Sequence, residues 1–349
     1  MIDTLVALLG IDAHAPEFWM PLVFMAVFYA IIVAGTVLDG FDIGVGCLVP
    51  FAAAELRPRM LALLSPWRDA NEFWLILGMG LFLTAFPNAW GPVMQALYLP
   101  MALLAIGVMV RSAAFELRLR APVHLQNRWS LAFAWGSWLT AFAHGFLLGR
   151  IVVGYEPGTG YFGYAVFVGA CAIAAYSLLG ATWLIMREPG ELRIRAAWWG
   201  RQSVRWAAAG SVAVSLVLAF ANTGVFLRWS DGPQWTVVVG LWVFTLVSFM
   251  TIEMSLQRTI QYSHRVTALP FVMTLLVFLI TLGGLGYSFF PYLVLDDITV
   301  WDGAASVETL RLILAAVVVA LPVALVFNIW VYWRMFGLSK APKPPQFRL

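Results

Sequence analysis

Two aspartates three residues apart, Asp39 and Asp42, are the first candidates for chemistry in this sequence. They lie in VLDGFDIGVG (37–46), and residues 18–53 contain no other charged side chain. A carboxylate at membrane depth costs roughly 2.5–3.5 kcal/mol even on lenient insertion scales. If one helix continues through both positions, i and i+3 share a face, and Gly40 with Gly44 forms a GxxxG spacing that admits a second helix. The pair would then face protein and form an intramembrane acidic site for protons.

Two other interpretations of Asp39 and Asp42 stay open at this point. The first apolar helix could end near Leu38, and the carboxylates would then cap its cytoplasmic end or be solvated there. Alternatively, the pair could bind a metal ion, although the sequence supplies no histidine nearby.

A second acidic cluster, Asp69 and Glu72, lies in SPWRDANEFW (65–74) at the start of the next apolar segment. Acidic residues in a first helical turn are typical of N-terminal capping, which by itself accounts for both. The functional interpretation is that they join Asp39 and Asp42 in the acidic mouth of a proton path. The adjacent Arg68 could neutralise Asp69 and make it a poorer proton carrier.

The sequence offers few ligands for a cofactor. His144 is the only histidine well inside an apolar segment, and a haem held by two histidines needs such residues to recur. A packed core histidine is therefore the favoured interpretation, with a haem ligand as the alternative. Cys47 and Cys171 form no CxxC or CxxCH motif, which argues against c-type haem, an iron–sulfur cluster and structural zinc. We expect this chain to bind no haem or metal.

The composition predicts an all-α, polytopic membrane protein. Hydrophobic residues make up 62% of the 349 positions, charged residues only 11%, and the mean hydropathy is +0.86, whereas soluble domains carry about 25% charged residues. Apolar segments long enough to cross a bilayer predict a bundle of nine transmembrane helices. The predicted spans are 19–41, 73–90, 93–111, 129–149, 161–186, 205–227, 235–256, 266–290 and 310–336.

The basic residues predict the orientation of these spans. Of the 21 Lys and Arg residues, all but Arg150, Arg228 and Arg311 fall in alternate loops and the C-terminal tail. By the positive-inside rule, the N-terminus lies outside and the C-terminus lies in the cytoplasm. We therefore divide the chain into a periplasmic segment (1–18), a nine-helix transmembrane domain (19–337) and a cytoplasmic tail (338–349). The excess of arginine is explained by topology, so no nucleic-acid partner is expected.

Several motifs together resemble a known family. LDGFDIGVGCLVPF (38–51) resembles its D-G-F-D-x-G-x-G signature, and DANEFWLILGMGLFLTAFPNAW (69–90) is similar to its W-D-G-N-E-x-W-L segment. Further similarity is found in GATWLIMREPGELRIR (180–195), VWDGAASVETL (300–310) and YWRMFG (332–337). The family is subunit II of the cytochrome bd-type quinol oxidases, including the cyanide-insensitive branch.

This resemblance implies a haem-free accessory subunit of a quinol:oxygen oxidoreductase in the bacterial inner membrane. Its partner, subunit I, would carry two b-type haems and one d-type haem, and a small single-span subunit could join. By position, Asp42 and Asp69 would serve the family's cytoplasmic proton path, with Asp39 completing the signature. A structural quinone or lipid is a further expectation, although Arg68 occupies the position of the family's tryptophan.

The main rival prediction belongs to another functional class. A proton- or cation-coupled transporter or channel would also place carboxylates in apolar segments. Transporters often show repeats and broken helices at the bilayer midplane, whereas this sequence shows no clear repeat and its acidic residues cluster on one side.

Overall fold

The computed structural model describes residues 10–64, 68–262 and 268–338, and this part of the chain is predominantly helical. The helices, in chain order, are α1 (Pro16–Leu48), α2 (Arg57–Ala62), α3 (Arg68–Ala85), α4 (Pro87–Arg120), α5 (Val123–Val152), α6 (Thr159–Arg187), α7 (Glu191–Ala221), α8 (Thr223–Ser230), α9 (Gly232–Tyr262), α10 (Leu269–Phe289), α11 (Val300–Gly303) and α12 (Val307–Leu338). A 3₁₀ turn, Val49–Phe51, extends α1, and the strands β1 (Tyr292–Val294) and β2 (Ile298–Thr299) form an antiparallel hairpin before α11.

Eight helices in the described part of the chain are long and apolar enough to cross a membrane, namely α1, α4, α5, α6, α7, α9, α10 and α12. The remaining predicted span falls on α3, whose apolar part, Ala70–Ala85, is shorter. An all-α polytopic membrane protein is therefore confirmed, while the count of nine spans stays a prediction.

The break between α3 and α4 differs from the predicted one. The predicted spans end and begin at 90–93, next to Gly91 and Pro92, but α3 ends at Ala85 and α4 begins at Pro87. A residue that precedes proline is disfavoured in the helical region, and Phe86 accordingly has φ −128° and ψ 55°. Pro92 and Pro100 lie within α4, so the break falls at Pro87, whereas the predicted break lay next to Pro92.

Helix α1 lies at the centre of the bundle, where it packs against α6, α3 and α5. The GxxxG prediction is confirmed, because a Cβ added to Gly44 would overlap the backbone carbonyl oxygen of Tyr176 in α6 and lie 2.6 Å from the backbone nitrogen of Gly180. Phe41 of α1 stacks on Trp183 of α6, with the ring centroids 4.3 Å apart. These contacts fix which face of α1 is turned to α6 and which carries its carboxylates.

Helix α12 is the most loosely packed of the long helices. Among the described elements it packs mainly on α1 and α3, and most of its large apolar side chains between Leu312 and Trp333 are exposed. In a bilayer this face is covered by lipid or by another membrane protein. The inner face of α12 lies beside the carboxylates of α1.

Candidate functional site

Asp39 and Asp42 lie inside α1, whose helical backbone continues to Leu48. Asp39 is 4% exposed and Asp42 is fully buried. The interpretation that the helix ends near Leu38 and leaves both carboxylates capped or solvated is therefore wrong. The apolar residues after the pair continue the helix. The close contact between Gly44 and α6 packs this part of α1 against its neighbour.

Asp39 forms an ion pair with Arg111 of α4. The guanidinium Nη1 and Nη2 atoms of Arg111 donate to the two carboxylate oxygens at 2.9 and 2.6 Å, which is the bidentate geometry that makes arginine–carboxylate pairs strong. Arg111 is itself fully buried. Because each charge would be costly to bury alone, the pair explains why both are accepted in the core.

The sequence-based placement of Arg111 in a cytoplasmic loop is wrong. Helix α4 continues to Arg120, so Arg111 lies within the helix, and Arg118 is also buried, with its Nε donating to Ser130 Oγ at 2.9 Å. Positive residues that follow an apolar segment serve topology or a buried site, and counting them cannot distinguish the two. The available signal was local, because Arg111 has apolar or small neighbours on both sides in VMVRSAAF.

Glu72 of α3 joins the same cluster. Its Oε1 accepts from Arg111 Nη2 at 3.1 Å and from Arg68 Nη1 at 2.9 Å, and both of its carboxylate oxygens contact Ser112 Oγ. Arg68 also donates to Glu116 at 3.2 Å. The hydrogen bonds described for Glu72 thus go to side chains of α3 and α4, and they link the start of α3 to the C-terminal third of α4.

Asp42 has a different environment, without a direct ion pair among the described residues. Its Oδ2 accepts from Asn71 Nδ2 at 2.8 Å, and Asn71 Oδ1 accepts from the hydroxyl of Tyr332 in α12 at 2.9 Å. The other carboxylate oxygen of Asp42 is buried and has no hydrogen-bond partner among the described residues. A buried oxygen without a partner is a place where a proton or a water molecule is favoured.

The structure brings the side chains of Asp39, Asp42 and Glu72 together, and their role in a proton path stays a prediction. The backbone of Asp69 lies in the first turn of α3, but its side chain lies outside the part that the structure describes. Three further members, Arg111, Asn71 and Tyr332, were not singled out as site residues from the sequence. We call Asp39, Asp42, Asn71, Glu72, Arg111 and Tyr332 the buried polar cluster.

The described residues contain no group of three or more His, Cys, Asp and Glu side chains arranged to hold a metal ion. The metal-binding interpretation of Asp39 and Asp42 therefore gains no support. The chemistry available to the buried polar cluster is the binding and release of protons, with Asp42 as the carboxylate that has an open oxygen.

His144 of α5 is not among the hydrogen-bonded members of the buried polar cluster. Its Nδ1 is 3.1 Å from the hydroxyl of Tyr176, and the two side chains border a cavity of about 250 Å³ that is lined mainly by apolar residues. The other histidines in the described part of the chain, His14 and His124, are exposed near helix ends. This donor set offers no pair of buried histidines for a haem.

Comparison with known proteins gives one consistent family. The sequence profile of the family "Cytochrome bd terminal oxidase subunit II" matches residues 20–335. Subunit 2 of the cytochrome bd-I ubiquinol oxidase of Escherichia coli K12 is 24% identical, over 88% of this chain and 92% of its own length. Subunit 2 of the cytochrome bd ubiquinol oxidase of Bacillus subtilis 168 is 26% identical, over 85% and 90% respectively.

A solved structure supports the same fold. A chain in the structure of the bd oxidase from Geobacillus thermodenitrificans superimposes with a TM-score of 0.73 and 14% sequence identity. The match covers 92% of this chain and 99% of the other. Since the family profile spans most of the sequence, this chain belongs to the cytochrome bd terminal oxidase subunit II family and is a multi-pass subunit of a respiratory quinol oxidase of the bacterial inner membrane.

Proposed function

We propose that this chain is a haem-free accessory subunit that supports a haem-bearing subunit I and supplies a cytoplasmic proton-uptake path for the reduction of O₂ to water. The path comprises Asp39, Asp42, Asp69 and Glu72. One observation carries the proposal: Asp42 is fully buried, with one carboxylate oxygen held by Asn71 and the other without a partner among the described residues. Such a group is equipped to accept and release a proton.

The four carboxylates have different roles in this proposal. Asp39 is held by both terminal nitrogens of Arg111, and its role within the path is to fix the position of this guanidinium. Glu72 is shared between Arg111 and Arg68 and lies nearer the start of α3. Asp69, one turn before it, is the entry group, and Asp42 is the group that passes the proton towards the partner.

The topology of the proposal follows from charge and helix length. If α3 crosses the membrane in addition to the eight long helices, the chain has nine spans. The N-terminus then lies outside and the C-terminal tail lies in the cytoplasm. Asp69 and Glu72 then lie at the cytoplasmic end of α3, and Asp39 and Asp42 lie in the cytoplasmic half of α1. This arrangement is what uptake of protons from the cytoplasm requires.

The partner and cofactor assignments rest on the family and on the ligands that this chain offers. Its relatives are named as subunit 2 of a ubiquinol oxidase, which supports a subunit I partner and a quinol substrate. The described histidines offer no buried pair, which supports placing haem b and haem d in that partner. A small single-span subunit and a bound quinone or lipid complete the proposed complex.

Asp42→Asn tests the proton path. We expect oxygen consumption by the assembled oxidase to fall by about tenfold or more, because general acid–base groups contribute on the order of 10²–10⁴ in rate. Haem content should not change, since Asn keeps the size of the side chain. Asp69→Asn should act in the same direction.

The matched control is Asp297→Asn, which makes the same chemical change at an exposed position between β1 and β2. Its oxygen consumption should equal that of the unchanged protein. Normal turnover in both Asp42→Asn and Asp69→Asn would remove the proton path from this subunit.

The haem assignment has its own test. We expect a reduced-minus-oxidised spectrum of this chain purified alone to show no haem bands, and the chain co-purified with subunit I to show them together with quinol oxidase activity. Stoichiometric haem in the chain alone would overturn the assignment and direct attention to His144.

A further inference from the structure

Helix α12 carries two polar side chains, Asn328 and Tyr332, in a stretch that is otherwise apolar from Leu312 to Trp333. A spacing of four residues places both on one face of the helix. Each reaches α3: Asn328 Nδ2 donates to the Ala70 carbonyl oxygen at 3.3 Å, and the Tyr332 hydroxyl donates to Asn71 Oδ1 at 2.9 Å. The two contacts differ in whether a further hydrogen bond continues from them to a carboxylate.

The contact of Tyr332 continues through Asn71 to the carboxylate of Asp42. Asn71 is fully buried, and its amide group joins the two residues, with Oδ1 accepting from Tyr332 and Nδ2 donating to Asp42 at 2.8 Å. The hydrogen bond described for Asn328 ends at a backbone carbonyl of α3. The same helix pair therefore contains one contact that leads to a carboxylate and one that does not.

An amide side chain is directional, because one side donates and the other accepts hydrogen bonds. If the Asn71 amide rotated by half a turn, its oxygen would face the Asp42 carboxylate and repel it. The Asp42 carboxylate, which only accepts when ionised, therefore selects the orientation in which Nδ2 faces it, and the Tyr332 hydroxyl, which can donate, stabilises that orientation by donating to Oδ1. Tyr332 thus anchors the amide that supplies Asp42 with a donor.

We propose that Asn71 and Tyr332 are positioning residues for Asp42: Tyr332 anchors the Asn71 amide through its oxygen, and the amide holds one Asp42 oxygen so that the other is the site of protonation. This inference rests on the proposed function, because it assigns to Asp42 a proton that must be taken up and released during turnover.

The sign of the expected pH effect depends on every charged or titratable group described near Asp42. These are Asp39 on its own helix, Glu72 of α3, Arg111 of α4 and Tyr332 of α12. The Tyr332→Phe variant changes none of their charges. It removes the hydroxyl that anchors the donor amide, and a weaker donor favours the protonated form of the carboxylate. Because the proposed path requires Asp42 to release its proton during turnover, the acidic limb of the activity profile should move to higher pH.

The experiment uses the assembled oxidase and measures oxygen consumption against pH, together with the infrared difference spectrum between the oxidised and reduced states. A carboxyl band that is present in the unchanged protein and absent from Asp42→Asn reports the protonation of Asp42. In Tyr332→Phe we expect this band to change frequency and the acidic limb to move upward by about half to one pH unit. Asn71→Gln, which displaces the amide by one methylene, should also move both.

The matched control is Asn328→Leu, which removes the other described hydrogen bond between α12 and α3. We expect it to leave the Asp42 band and the acidic limb in place. If it moves them as Tyr332→Phe does, Tyr332 acts by docking the helix and the positioning role is overturned. The role is also overturned if neither Tyr332→Phe nor Asn71→Gln moves the band or the limb.

The two levels of the proposal fail in different ways. If Asp42→Asn and Asp69→Asn both keep normal turnover and no band depends on Asp42, the proton path itself is absent. If Asp42→Asn is slow and the band exists but is insensitive to Tyr332 and Asn71, only the positioning role is lost.

Discussion

Replacing Arg111 with Leu is expected to destabilise the subunit by about 3–5 kcal/mol, which is the effect typical of removing one partner of a buried ion pair. The substitution leaves Asp39, which is 4% exposed, without the guanidinium that contacts both of its oxygens. It also removes the contact between Arg111 and Glu72. We expect little assembled oxidase in the membrane, measured as the yield of complex and its thermal unfolding temperature.

A double variant distinguishes lost charge compensation from lost packing. Arg111→Leu combined with Asp39→Leu removes both charges, and apolar replacement of a buried ion pair is often neutral or stabilising. We therefore expect the double variant to recover most of the assembly that the single variant loses. A double variant as unstable as Arg111→Leu alone would show that the guanidinium is needed for packing or for Glu72.

The matched control is Arg120→Leu, at the exposed C-terminal end of the same helix. Surface substitutions of this kind usually change stability by no more than about 0.5 kcal/mol. Equal losses in Arg120→Leu and Arg111→Leu would contradict the ion-pair explanation and favour a general requirement for positive charge on α4.

The second large effect is expected for Gly44→Ala. A Cβ at this position would overlap the Tyr176 carbonyl oxygen and lie 2.6 Å from the Gly180 nitrogen, so α1 and α6 must separate. Overpacking typically costs about 1–3 kcal/mol, and we expect the upper end because the clashing atoms belong to the backbone. The measurement is again the thermal unfolding temperature of the purified complex, together with its haem content.

Gly240→Ala, in α9, is the control for this prediction, because a Cβ there meets no atom within 4 Å. Its unfolding temperature should equal or exceed that of the unchanged protein, since alanine favours a helix more than glycine does. If Gly44→Ala is as stable as Gly240→Ala, the close contact between α1 and α6 does not exist in the membrane.

The membrane class and most of the helices could be predicted from the sequence, because a bilayer requires long apolar segments whatever their packing. The acidic signature around Asp39 and Asp42 was also evident, since charge in an apolar segment is conspicuous. Helix ends were less certain. The continuation of α1 to Leu48 was one of the alternatives that the sequence left open; the GxxxG spacing of Gly40 and Gly44 allowed it, and the contact of Gly44 with α6 accompanies it in the structure.

The composition of the buried polar cluster was decided by tertiary structure. Arg111 lies 72 residues from Asp39, and Tyr332 lies 261 residues from Asn71, so neither pairing leaves a periodic trace in the sequence. An arginine at the end of an apolar segment satisfies the positive-inside pattern whether it faces water or a carboxylate. The carboxylates and the helices that bear them were thus determined by local residue types, whereas their partners were determined by which helices meet, because buried charges must find partners wherever the fold brings them.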